Sequence, residues 1–237
     1  MRISVCIIAH NEEKYIKKCI ESLLNQTKKA DEIVIVLHNT TDKSGDLIKP
    51  YPVKVVNYSG PKGIIFARME ALRHTTGDVI LCIDGDSYAN INWIEEMTRT
   101  LLDGNILVGS WIKFKGNFFD KALSQLNKIF CNKKGKEAAG WLWGGSMAFN
   151  KADKEPVEKV WNESVEWSLL ANLTRNPEDY WLALCMLKIG ELQVTNKTHT
   201  THYSKSTSSL QAIKRHIENI RNGKKMQKFF ESKSLRV

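Results

Sequence analysis

Four short apolar runs, residues 3–9, 32–37, 53–58 and 78–84, alternate along the first half of the chain with helical patterns and polar turns. They are β-branched and nearly continuous rather than apolar at every second position. A strand of that kind is buried on both faces, which calls for a parallel sheet with helices above and below it. Between the strands, Ile16, Ile20, Leu23 and Leu24 recur at helical spacing. Asn11 is placed to cap that helix, with Glu12 and Glu13 in its first turn at the positive end of the dipole. Residues 39–45 form a polar turn. Gly60–Gly63 forms a loop that leads into a helix ending near His74, and residues 93–102 form a further amphipathic helix. Ligands of such sheets bind at the carboxyl ends of the strands, so the polar residues after each strand are the candidates.

The second half is less regular. Residues 113–139 read as a mobile or helical insertion, and 141–149 as an aromatic and glycine segment. Helices are expected over 167–173 and 180–189, and a late strand over 191–195. Leu210, Ile213, Ile217 and Ile220 mark an amphipathic helix whose other face is basic. The expected organisation is one domain over 1–204, with a regular half (1–110) and a less regular half (111–204), followed by a basic helical tail over 205–237.

Composition narrows the class. With 42% hydrophobic and 26% charged residues in 237, the chain is an ordinary globular one, neither disordered nor fibrous. No apolar run approaches the ~20 residues needed to cross a bilayer. The first run passes directly into polar residues with no small-residue cleavage site, so it is expected to be a strand and not a signal peptide. Five scattered cysteines without a CxxC pair point to reduced thiols and a cytoplasmic setting. The net charge of +9 is concentrated in two stretches. Residues 205–237 hold nine Lys/Arg against Glu218 and Glu231, and residues 113–136 hold seven Lys against Asp120. Basic patches attract polyanions. Nucleic acid is not the expected partner, because the tail's aromatics, Phe229 and Phe230, are adjacent and not interleaved with the basic residues. An anionic membrane surface, contacted from its inner face through the tail, fits better.

The sharpest chemical feature is Asp84-Gly85-Asp86, directly after the fourth apolar run. Two carboxylates one residue apart at a strand end can share a hard cation such as Mg²⁺ or Mn²⁺, which commonly bridges protein carboxylates to phosphates. Arg68 follows the Gly60–Gly63 loop and offers a planar donor fork for phosphate. Glu178-Asp179 opens a helix, where a carboxylate can serve the dipole or act as a general base. His199 and His202 follow the late strand and are candidate metal ligands, and His10 follows the first strand. There is no GxxxxGK[ST] and no GxGxxG after the first strand, so a P-loop and a nicotinamide fingerprint are both absent.

Taken in order, these segments resemble family 2 glycosyltransferases, inverting enzymes of the GT-A fold. The run from Val5 through Ala9, His10, Asn11, Glu12 and Glu13 is similar to that family's opening strand and Asn-Glu-Glu. The stretch from Cys19 to Thr27 is similar to its first helix with the Ser-Leu-x-x-Gln-Thr ending, and Asn39-Thr40-Thr41-Asp42 to its Ser-Thr-Asp turn. Gly60–Gly63 followed by Ala67-Arg68 resembles its glycine loop and Ala-Arg pair. Asp84-Gly85-Asp86 resembles its Asp-x-Asp, Gly144-Gly145-Ser146-Met147-Ala148 its glycine pair beside the acceptor, and Glu178-Asp179 its base motif.

The resemblance implies an α/β, Rossmann-like, mostly parallel sheet flanked by helices, and transfer of a single sugar from a nucleotide-sugar donor. Ala9, His10, Asn11, Glu12, His38, Arg68, Asp84, Gly85 and Asp86 would surround the donor. Asp86, Asp84 and one of His199 and His202 would hold Mn²⁺ or Mg²⁺. Asp179 would deprotonate the acceptor hydroxyl, with its pKa raised by desolvation near Trp143 and Trp181. Trp143, Gly144, Gly145, Ser146 and Glu178 would face the acceptor, a glycan or lipid-linked glycan. The chain departs from the pattern at Leu37-His38, where the family carries Asp to read the base or ribose. It also lacks the processive Gln-x-x-Arg-Trp motif. The alternative reading is a catalytically silent nucleotide-sugar-binding module.

Overall fold

A computed structural model of the protein describes residues 1–170 and 178–203, with seven further positions between 214 and 228. The strands are β1 (Ile3–Ala9), β2 (Glu32–His38), β3 (Lys54–Tyr58), β4 (Val79–Asp84), β5 (Ser87–Ala89), β6 (Asn105–Lys115), β7 (Lys133–Lys134), β8 (Ser146–Asn150) and β9 (Glu191–Tyr203). The helices are α1 (Ile16–Leu24), α2 (Ser44–Ile48), α3 (Ile64–Arg73), α4 (Trp93–Leu102), α5 (Phe118–Phe130), α6 (Gly135–Ala139), α7 (Lys154–Leu170) and α8 (Glu178–Met186). The sheet order is β3-β2-β1-β4-β8-β6-β9-β5, with β7 paired to β9.

The apolar runs are strands because both of their faces are covered. Val5, Ile7, Leu81 and Ile83 pack with Ile16, Ile20 and Leu23 of α1 and with Trp93 and Met97 of α4. Cys6, Ile8, Ile80 and Cys82 pack on the opposite side with Ile65, Met69 and Leu72 of α3 and with Trp161 and Trp181. The side-chain alternation of a strand feeds two separate cores. All five cysteines are free thiols.

β3, β2, β1 and β4 run parallel to one another, as the sequence leads one to expect. The second half is mixed. β8 runs antiparallel to both β4 and β6, while β6 and β9 are parallel to each other. The carboxyl ends of β1, β4, β6 and β9 therefore share one edge of the sheet with the amino end of β8. That reversal sets Gly144-Gly145, just before β8, beside Asp84 at the end of β4.

Several local expectations are corrected. Asn11 does not cap α1. It sits at φ 55°, and its Oδ1 accepts from the backbone N–H groups of Thr41 (2.8 Å) and Asp42 (3.3 Å), pinning the loop after β2. α1 begins at Ile16 with no acid in its first turn. The late strand does not stop at Thr195. It passes through a register shift between the Ser110–Thr195 and Trp111–His199 pairs and continues to Tyr203, so both histidines lie inside it. The 113–139 insertion contains the end of β6, then α5, β7 and α6. β6 runs unbroken through residue 110, so the residues before and after it share one sheet. The helix over Lys154–Leu170 was not expected before residue 167. Positions 171–173 and the apolar residues Leu210, Ile213, Ile217 and Ile220 lie outside the described residues. Among the described residues no helix is long and apolar enough to cross a membrane.

Candidate active site

A buried guanidinium organises the cleft at the carboxyl edge. Arg68 on α3 is 3% exposed, with Nη1 donating to Glu178 Oε1 (2.8 Å) and Nη2 to Asp84 Oδ1 (3.3 Å). Burial works against its charge, but Asp84 and then Glu178 more than offset this and hold its pKa above the ordinary value. The sequence leads one to expect this fork at the nucleotide. In the structure both of its terminal nitrogens meet carboxylates, Glu178 and Asp84.

The glycine pair fits over this cluster. A Cβ on Gly144 would lie 2.0 Å from Arg68 Nη1, and one on Gly145 would lie 2.3 Å from Asp84 Oδ2. Only a residue without a side chain lets the backbone lie against that ion pair. The Gly144 N–H in turn donates to Asp179 Oδ2 (3.3 Å), and the Tyr180 N–H to Asp179 Oδ1 (2.8 Å). Arg68, Asp84, Glu178, Asp179 and the glycine pair thus form one connected unit. Burial pushes Glu178 up to about 7, opposed by Arg68 and assisted by Asp179. Burial also raises Asp179, with Arg68 and its two N–H donors working the other way.

Asp86 lies beyond Gly85, whose N–H donates to Ile8 O (2.8 Å). Asp86 is buried, and its Oδ1 approaches His202 Nδ1 at 3.1 Å. His202 is opposite Ser87 on β5 and Phe114 on β6 in the sheet register. An imidazole nitrogen and a carboxylate oxygen converging this closely are a donor pair suited to a divalent cation. His199 is not part of it. Three residues back along β9, it lies 4.5 Å between ring centroids from Trp111 and within 3.4 Å of Asn90 Nδ2. Burial first, then Lys113 and Lys128, lower its pKa to about 4. The structure therefore separates the two candidate histidines.

The remaining candidates divide in the same way. His10 Nδ1 lies 2.8 Å from His38 O, tying the ends of β1 and β2. His38 is buried, stacks on Tyr58 and has Nε2 2.9 Å from Pro61 O. Ala9 is buried at the end of β1, and the N–H of buried Glu12 donates to Ser44 Oγ (2.9 Å). Trp143 lines the cleft edge-on to Phe114 at 5.2 Å. Ser146 is fully buried. Its hydroxyl is buried 2.6 Å from Ser110 Oγ and accepts from Trp93 Nε1 at 3.0 Å.

The family model described as Glycosyl transferase family 2 matches residues 4–161. The chain belongs to glycosyltransferase family 2. This family 2 chain is 27% identical over 143 residues to the glycosyltransferase GlyA of Streptococcus pneumoniae, an alignment covering 55% of the chain and 20% of GlyA. It is 28% identical over 168 residues to the glucosyl-dolichyl phosphate glucuronosyltransferase of Haloferax volcanii, covering 64% of the chain and 53% of that protein. The chain thus spans about half or less of the length of these relatives. The S. aureus TarS 1-349 structure in complex with UDP-GlcNAc superposes with a TM-score of 0.65 at 17% identity, covering 89% of this chain and 61% of that one. The likeness is one of fold, and the fold is GT-A.

Family 2 membership leaves several groups that sequence reasoning had not singled out. Phe114 stands edge-on to both Trp143 and His202. Tyr58 stacks on the His38 ring, and Pro61 O and Asn39 Nδ2 both meet its Nε2. Phe114 carried no signal, because the sequence puts it at the start of the 113–139 insertion, whereas it lies in β6.

Proposed function

We propose that this chain transfers one sugar from a nucleotide-diphosphate donor to a hydroxyl of an envelope or lipid-linked glycan, with divalent-metal dependence and inversion at the anomeric carbon. The observation that carries the reading is the placement of Asp86–His202 and of Asp179 on either side of the Arg68–Asp84 pair at one sheet edge. Asp86 and His202 would hold Mn²⁺ or Mg²⁺, with Asp84 nearby. Among the described residues no three such side chains form a ready-made metal cluster, and hard cations commonly complete their shell from substrate phosphates and water. When bound, the cation would neutralise charge developing on the leaving diphosphate.

The chain's own groups supply the rest. Asp179 is the general base. Its raised pKa makes it a stronger base than an exposed Asp, and the N–H groups of Gly144 and Tyr180 fix both of its oxygens. It accepts the proton of the acceptor hydroxyl, which attacks the anomeric carbon opposite the leaving group. Glu178 and Arg68 position this base and Asp84. Residues 1–110 would carry most donor contacts and 111–204 those of the acceptor. The Haloferax relative, named for a dolichyl phosphate acceptor, supports a lipid-linked substrate.

The test is thermal-shift binding of UDP-, GDP-, CMP- and dTDP-sugars with and without Mn²⁺, alongside Asp86→Ala. A metal-dependent shift for one donor, lost in Asp86→Ala, is the expected result. A second reading, a nucleotide-sugar-binding module without turnover, is favoured by Leu37-His38. Leu37 is buried, and His38 Nε2 is already engaged by Pro61 O, so no carboxylate reads the base there. Donor binding without sugar release or transfer would support it, and a flat panel from folded protein would sink both readings.

A further inference from the structure

The helix α5 is built inside out. Its polar residues Asp120, Ser124 and Asn127 are buried against the sheet. The reason lies in β6. β8 pairs with it only around Leu107–Gly109, so the N–H groups further along that strand have no β8 partner. α5 supplies side-chain acceptors instead. Ser124 Oγ accepts from the Phe114 N–H (2.7 Å) and Asn127 Oδ1 from the Ile112 N–H (3.3 Å). Asp120 closes a capping box with Asn117.

With its polar face turned inward, the helix presents its apolar face to solvent. Phe118 is 84% exposed, Ile129 65%, Leu126 51% and Phe130 50%. Together with Ala122 they recur at the spacing of one helical face. These four are among ten large apolar side chains exposed among the described residues, so the exposure is concentrated on one helix rather than scattered. Its surroundings are basic. Lys121 and Lys128 flank the face on α5, Lys113 and Lys115 precede it, and Lys133 and Lys134 follow. The only acid between Lys113 and Lys136 is the buried Asp120.

We propose that this face of α5 docks on an anionic lipid bilayer, with the apolar stripe at the headgroup–acyl boundary and the lysines among the headgroups. An anionic bilayer satisfies both halves of the surface, because it solvates apolar side chains and attracts a lysine rim. A second copy of the chain would cover the apolar residues but set two basic rims against each other. The position of the helix gives docking a consequence. Phe114, four residues before Phe118, packs on Trp143 and on His202, so a docked α5 brings the cleft up to the membrane surface. Docking is read by vesicle binding and not by turnover, so it stands or falls separately from the sugar-transfer reading.

The experiment is co-sedimentation of the full chain with vesicles of equal parts phosphatidylcholine and phosphatidylglycerol, and with vesicles of phosphatidylcholine alone. The expected result is salt-sensitive binding to the anionic vesicles only. Leu126→Ser with Ile129→Ser should weaken it by more than about tenfold, with an unchanged Tm because both side chains are exposed. Lys224→Gln, Lys225→Gln and Lys228→Gln together, in the tail, should retain most of the binding. Three results would overturn the proposal. One is absence of wild-type binding. Another is binding lost in the tail variant while the α5 variant binds like wild type. The third is a wild-type dimer that the α5 variant turns to monomer, without vesicle binding.

Discussion

Arg68 and Glu178 are 110 positions apart in sequence, and their side chains meet in a buried ion pair 2.8 Å long. The pair links α3 to α8, the helix that carries the candidate base. Removing the cation would leave Glu178 and Asp84 facing each other in a poorly solvated site. Arg68→Ala should therefore cost about 3–5 kcal/mol, the range for breaking a buried pair from one side. Arg68→Lys should recover only part of this, since an ammonium lacks the planar fork that reaches two carboxylates. Urea unfolding of the three proteins measures both. Equal stability of wild type and Arg68→Ala would show that the pair does not organise the cleft.

The glycine pair makes a sharper test. Gly145→Ala puts a methyl group against Asp84 Oδ2, and Gly144→Ala puts one against Arg68 Nη1. Each should depress nucleotide-sugar binding by more than about tenfold, because a shift near 1 Å at a site is costly. Gly140→Ala serves as the control. It sits at an ordinary helical φ with nothing within 4 Å of the added Cβ. Donor titrations by calorimetry on the three variants decide the matter, and normal binding by Gly145→Ala would remove Asp84 from the donor site.

Much of this architecture can be traced in the sequence, and its failures have physical causes. β1 and β4 stand out because both faces of each strand are buried, which leaves a continuous apolar run, and Asp84-Gly85-Asp86 follows at the point where such sheets bind ligands. β8 reads in the sequence only as part of an aromatic and glycine segment, because five residues after Gly144-Gly145 are too short an apolar run to stand out, and its direction is not encoded in that run. The end of β9 was hidden by the register shift near Ser110, beyond which Thr198, His199, Thr200 and His202 look like loop residues. α5 confounded the usual pattern because its polar face points inward. The first turns of α7 show only Val157, Val160 and Trp161 as an apolar face, too few to stand out among their Lys and Glu neighbours. Asn11 looks like a helix cap by residue type, but its positive φ commits the side chain to Thr41 instead.

The two histidines of β9 should behave differently. His202→Ala removes the nitrogen beside Asp86 and should abolish most of any Mn²⁺-dependent stabilisation by donor. His199→Phe should leave that response intact, because the ring lies against Trp111. It should also alter acid stability. His199 has a folded pKa of about 4, below the ordinary imidazole value, so the unfolded chain binds the extra proton between roughly pH 6.5 and 4. Wild-type stability therefore falls as the pH drops through that window, and His199→Phe should flatten the fall. Thermal melts from pH 7 to 4 report this, and identical slopes would show that His199 is already protonated in the folded protein.

Glu178 should give the opposite sign. Its folded pKa of about 7 lies above the ordinary carboxylate value, so between roughly pH 4.5 and 7 the folded protein holds a proton that the unfolded chain has released. The stability linked to this group is fully present below the unfolded pKa and is lost as the pH rises through 7. Glu178→Gln keeps a hydrogen-bonding side chain but cannot titrate. It should therefore remove this part of the pH dependence, leaving the variant relatively more stable at pH 8 than at pH 5 when each is compared with wild type. Lost pairing with Arg68 lowers the whole curve of the variant, so the slope is the diagnostic quantity and not the absolute Tm. Parallel slopes for wild type and Glu178→Gln would mean that the ion pair with Arg68 keeps Glu178 ionised across the whole range.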